Sequence, residues 1–210
     1  PEFTMMECYW AYVDYQDMMK LTEQLYEFVV KKVLGKTKID YQGQAIDFKT
    51  PWQRITMMEA LKKYAGIEAE KLSDDELKKL LKKHNLEYEN NPKLTGVGAG
   101  FKRGIALATL FELVEPKLIQ PTFITDFPKE TTALCKQKDD NPKLIERFEP
   151  YINGWEVGNA YSELNDPLVQ REFFEEQAEA KKSGDEEAHP LDNEFIESLE
   201  YGMPPTGGLG

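Results

Sequence analysis

From Arg147 to Asp166 the chain reads RFEPYINGWEVGNAYSELND, and no other stretch limits the fold as strongly. Asn153-Gly154 stands between two runs of strand-forming residues, a strong hairpin signal, so the flanking strands must run antiparallel. Side chains on a strand point alternately to opposite faces. In the second run this rule sends Asn159, Tyr161 and Glu163 to one side and leaves Gly158, Ala160 and Ser162 on the other. One face is polar and acidic and the other nearly bare. A strand buried in an apolar core does not look like that.

The start of the chain repeats the theme. Strand alternation over residues 3–12 places Phe3, Met5, Glu7, Tyr9 and Ala11 on one face, so a carboxylate again lies beside a phenol. Met18, Leu21, Leu25, Phe28 and Val29 recur at intervals of three and four, which predicts an amphipathic scaffold helix from about Tyr15 to Leu34, ended by Gly35. KIDYQGQAIDF, residues 38–48, alternates about Gln42-Gly43 and predicts a surface hairpin. Thr56 with Glu59, and Ser73 with Glu76, have capping-box spacing and announce two short helices. They belong to a small helical insertion at about 56–100.

Residues 105–119 are apolar enough for a buried helix up to Pro116, PTFITDFP predicts a short strand between two prolines, and two closing helices follow residue 166. Neighbouring strands are joined by hairpins rather than regular crossovers. The fold class is therefore α+β, an antiparallel sheet flanked by helices.

With 210 residues, 40% of them hydrophobic, the chain can bury a sizeable core as one domain. Its net charge of -12 argues against a broadly basic surface, so no DNA partner is expected. The lysine run at 78–83 reads as the solvated face of a helix or as a local nucleic-acid patch. GVGAG, residues 96–100, lacks the lysine and serine of a phosphate loop and reads as a flexible connection. Cys8 and Cys135 lack CxxC spacing, which fits reduced thiols in the cytoplasm, and His84 and His189 have no ligand-like partners for zinc. No apolar run approaches the ~20 residues of a membrane span, so no membrane partner is expected.

Two strands thus each present a carboxylate beside a tyrosine: Glu7 with Tyr9, and Tyr161 with Glu163. If both belong to one sheet and face the same side, they line a cleft suited to a cation, through charge-assisted hydrogen bonds and the negative faces of the rings. Asn159 adds an amide that donates and accepts. A small amine such as lysine is the candidate ligand. Glu149 and Glu156 flank the hairpin turn and invite two readings. Either they meet across the strands and hold magnesium together with phosphates, or they are exposed glutamates paired to Lys or Arg.

These residues carry a family resemblance. PEFTMMECYWAY resembles the second half of motif 2 of class II lysyl-tRNA synthetases, RFEPYINGWEVGNAYSELNDP the strand block before motif 3, and GMPPTGGLG the start of motif 3; IQPTFITDFP between them is also similar. The resemblance covers essentially the whole chain. It implies the class II aminoacyl-tRNA synthetase catalytic-domain fold, incomplete at both ends. Phe3 would stack on the adenine of ATP. Glu7, Tyr9, Asn159, Tyr161 and Glu163 would hold lysine, with Tyr9 and Glu163 at its ε-ammonium. Glu149 and Glu156 would hold Mg2+ on the ATP phosphates. Tyr161 departs from the phenylalanine of bacterial members by adding a hydroxyl.

The implied activity is that of a lysine-tRNA ligase, forming lysyl-adenylate and passing lysine to tRNA(Lys), in a parent that is a cytoplasmic homodimer. The family's motif 1, the first strand of motif 2 with its arginine, the arginine of motif 3 and the anticodon-binding domain are not among these residues. Little or no activity is therefore expected of the chain alone. Two alternatives are a synthetase-like paralogue that lysylates a protein, and a non-catalytic module that binds lysine or a partner.

Overall fold

A computed structural model describes residues 2–86, 101–182 and 191–210; GVGAG and His189 lie outside the described residues. Strands are β1 Cys8–Ala11, β2 Lys38–Tyr41, β3 Gln44–Asp47, β4 Gln53–Thr56, β5 Thr122–Thr125, β6 Arg147–Ile152, β7 Trp155–Glu156, β8 Ala160–Ser162 and β9 Thr206–Leu209. Helices are α1 Tyr15–Leu34, α2 Met57–Ala60, α3 Asp74–Lys83, α4 Arg103–Phe111, α5 Pro167–Lys182 and α6 Asn193–Glu200. The main sheet has the order β1-β9-β8-β6-β5-β4, with β7 paired to β6, while β2 and β3 form a separate hairpin. This is a mixed fold with a mostly antiparallel sheet flanked by helices.

One pairing departs from the antiparallel expectation. Strand β4 runs parallel to β5, and the connection between them carries α2, α3 and α4. QRIT is too short for alternation to announce it, and it leads straight into a capping box. That box is present: Thr56 accepts from the Glu59 N–H while the Glu59 carboxylate accepts from the Thr56 N–H. Ser73 and Glu76 cap α3 in the same way. Helix α4 stops at Phe111 instead of reaching Pro116, and a 3₁₀ turn over Glu115–Lys117 takes its place. Proline has no N–H to continue the helical ladder.

Strand β6 shows how the sheet divides two cores. Phe148 and Ile152 point under α1, where they join Met18, Met19, Trp52 and Phe123. Tyr151, between them, joins the other core with Leu110, Phe111 and Ile124. The two-residue period thus supplies both faces of a central strand. Phe123 is fully buried, with ring centroids 5.1 Å from both Trp52 and Phe148. Phe123→Ala is expected to lower unfolding free energy by about 3–5 kcal/mol. Urea titration should show a lower midpoint at unchanged slope.

Helix α1 is capped by Asp14, whose carboxylate accepts from the Gln16 and Asp17 N–H groups, and ends at Gly35 in the left-handed conformation. Its apolar stripe is only partly covered, since Met18 is buried while Phe28 is 65% and Val29 46% exposed. Twenty helical residues extend about 30 Å, whereas β8 and β9 have three and four residues. The helix overhangs the strands it packs on.

Candidate functional site

The opening strand pattern is resolved by its neighbours. Strand β8 is central, between β6 and β9, and its small residues face α1: Ala160 is fully buried, and the Ser162 hydroxyl accepts from the Tyr15 N–H at 3.0 Å. The bare face lets the helix approach. The polar face is then turned to the opposite side of the sheet, into a cleft of about 860 Å³ that also reaches Thr22, Leu25, Tyr26 and Val29 of α1.

Strands β1 and β8 are not neighbours. Strand β9 runs between them, and the register aligns Tyr9, Gly208 and Tyr161 in one row. One step along, the Asn159 and Gly210 backbones exchange hydrogen bonds at 2.7 and 2.9 Å, and a Cβ on Gly210 would stand 3.5 Å from Glu7 Cγ. In the other direction, the Glu163 N–H donates to the Thr206 carbonyl at 2.8 Å. Two polar walls therefore face each other across a glycine floor. The cleft gathers Phe3, Glu7, Tyr9, Asn159, Tyr161, Glu163 and Glu156. Phe3 is 81% exposed at its rim, and residues 2–7 precede the strand, because the ladder of β1 extends only along the four residues of β9.

Electrostatics single out Glu163. Burial pushes its carboxyl up to about 7. Among the described residues no cation pairs with it. Its charge is also the first cause, ahead of burial and Glu7, that raises the Tyr9 phenol. Burial and then Glu163 raise the Tyr161 phenol, so that ring stays a neutral donor. A desolvated carboxylate flanked by aromatic groups has the chemistry to pair with an ammonium group.

Glu149 lies apart, in an adjoining chamber of about 290 Å³ lined also by Glu112, Glu115, Glu156 and Asn159. Register places Glu156 opposite Tyr151, so Glu149 and Glu156 stand diagonally rather than face to face. Of the reading as exposed hairpin glutamates paired to Lys or Arg, Glu149 keeps the pairing, to Arg147, but not the exposure, being only 6% exposed. Arg147 donates to its Oε1 at 2.6 Å and the Tyr151 hydroxyl to its Oε2 at 2.7 Å. Among the described residues no group of three or more metal-ligating side chains is assembled. Two hard carboxylates without a full cage suit an ion that arrives with phosphate oxygens, as magnesium does.

Sequence reasoning missed Arg147, Tyr151 and Gly208. The first two were visible as the polar face of RFEPYI, in step with Glu149. Gly208 carries no side chain to notice.

The model of the class II tRNA synthetases (D, K and N) matches residues 1–210. The chain belongs to this family. This class II synthetase chain is 53% identical over 211 residues to a lysine-tRNA ligase of Saccharolobus solfataricus. It is 52% identical over 212 residues to that of Thermoanaerobacter pseudethanolicus and 49% over 212 residues to that of Clostridium novyi. Each match covers 100% of this chain but only 41%, 41% and 40% of the relative. No helix among the described residues is long and apolar enough to cross a membrane.

Proposed function

We propose that this chain carries the amino-acid-activating site of a lysine-tRNA ligase acting in the cytoplasm. The observation that carries the reading is the Glu163 carboxylate, desolvated and without a cation among the described residues, beside Tyr161 and across the Gly208 floor from Tyr9. A lysine ε-ammonium supplies the missing charge. Glu7 and Asn159, at the far end of the rows, receive the α-amino and carboxylate groups, and Phe3 offers a ring to adenine. Glu149 and Glu156 would hold Mg2+, which neutralises charge on the ATP phosphates when bound.

In the first step a lysine carboxylate oxygen attacks the α-phosphorus of ATP, giving lysyl-adenylate and pyrophosphate. The lysyl group then passes to the 3′ end of tRNA(Lys). No protein nucleophile is required; the site acts by holding reactants in line and balancing charge. Lysine-dependent exchange of pyrophosphate into ATP by the full-length gene product is the test. Absence of exchange, or exchange driven equally by ornithine or arginine, overturns the reading.

Glu163 also sets a pH dependence. Its carboxyl binds a proton below about 7, and the neutral form offers the ammonium no charge. Lysine affinity is expected to rise with pH and level off above neutrality, being about 30-fold weaker at pH 5.5 than on the plateau. Without ligand the sign reverses: a carboxyl raised above 4.5 makes the folded state lose stability as pH rises from there through about 7. Calorimetric titration and thermal melting across this range check both trends.

A further inference from the structure

Arg147 belongs to neither the amino-acid residues nor the metal residues, yet it touches both groups. It is nearly buried, its side chain 12% exposed, and its guanidinium carbon lies 4.8 Å from the centre of the Phe127 ring. Its donors reach three separate segments. Nε donates to Asn159 Oδ1 at 2.9 Å, one terminal nitrogen to Glu149 Oε1 at 2.6 Å, and the other to Thr131 Oγ1 at 3.3 Å. A planar fork with fixed donor directions can orient several acceptors at once, which a lysine cannot.

We infer that Arg147 is a positioning residue that orients the Asn159 amide and the Glu149 carboxylate together, linking the amino-acid cleft to the neighbouring chamber. With Asn159 Oδ1 committed to Arg147, the amide turns its NH2 group to the ligand, so Asn159 acts as a donor to a ligand oxygen. Glu149, held by Arg147 on one oxygen and Tyr151 on the other, keeps a single orientation toward a cation. The inference rests on the proposed lysine activation and deepens it.

The test is a cycle in the full-length gene product, measuring the KM for lysine and the half-saturating magnesium concentration in pyrophosphate exchange. Arg147→Lys keeps the charge and loses the fork. It is expected to raise both quantities about tenfold. In an Asn159→Ala background the same change should no longer move the lysine KM while still raising the magnesium requirement. An equal rise in lysine KM in both backgrounds, or none in the wild-type background, overturns the inference. If Arg147→Lys does not fold, Asn159→Asp decides: it retains an acceptor for Arg147 but has no NH2 group, and an unchanged lysine KM overturns the donor role. Wild-type protein without lysine-dependent exchange removes the underlying reading instead, whereas exchange with independent effects of the two changes removes only the role of Arg147.

Discussion

Glu163→Gln is expected to abolish lysine binding at accessible concentrations while leaving the fold intact or more stable at pH 7.5. The substitution keeps the shape of the side chain and removes its charge. A lysine ammonium bound between Tyr9 and Tyr161 would then be desolvated with no anion opposite. Removing one partner of a buried pair costs about 3–5 kcal/mol, and the lower end applies to a half-buried group. Even that is a loss of at least about 100-fold in affinity. The free protein behaves in the opposite way. Glu163 is raised to about 7 because burial penalises its charge, so a neutral amide relieves that penalty above neutrality. Calorimetric titration with lysine and thermal melting at pH 7.5, run side by side, check the pair of effects. Wild-type affinity in the variant sinks the pocket, and a lower melting point sinks the account of the raised carboxyl.

Gly208→Ala is expected to lower lysine affinity more than tenfold, and Gly207→Ala to leave affinity intact while destabilising the chain. The two glycines are neighbours on β9 and face opposite ways. A Cβ on Gly208 would collide with Glu163 Oε1 and come within 3.2 Å of Tyr9 Cε1. The carboxylate has to move away from the position where Tyr9 and Tyr161 meet it, and the methyl rises from the cleft floor. A Cβ on Gly207 would stand 2.5 Å from Met18 Cγ and 3.2 Å from Val13 Cγ2, on the side packed against α1. Overpacking of that kind costs about 1–3 kcal/mol and does not reach the cleft. Lysine titration and urea unfolding of both variants separate the two faces. Equal affinity losses in both would show that the floor has no special part in the site.

Much of the cleft was legible because it lies on strands, where a two-residue period converts sequence directly into faces. Tyr9 and Tyr161 reach the cleft from strands as that period requires, and Glu7, Asn159 and Glu163, just beyond the strand ends, line it with them. The hairpins at Gln42-Gly43 and Asn153-Gly154 were legible for a similar local reason: at 153–154 both residues have positive φ, 54° and 78°, which tightens the turn into the form that matches strand twist. The parallel β4 strand was not legible, since four residues carry too little pattern and its partner lies far along the chain. Nor was the partial exposure of α1, which depends on how short the strands beneath it are. The diagonal placing of Glu149 and Glu156 was hidden as well, because a hairpin register shifts by whole residues that no side chain announces.

The sequence by itself determined the local units: the capped helices, the two hairpins, and the alternation that puts carboxylates beside tyrosines. These follow from interactions within a few residues along the chain, where propensity and hydrogen-bonding chemistry act directly. The tertiary structure alone decided that β9 enters between β1 and β8, and so that bare Gly208 forms the floor on which Tyr9, Tyr161 and Glu163 converge. It also decided that Arg147 spans Asn159 and Glu149, and that Glu163 is desolvated with no cation paired to it among the described residues. Those are properties of distance and burial between segments remote in sequence, and they arise only when those strands pair into one sheet.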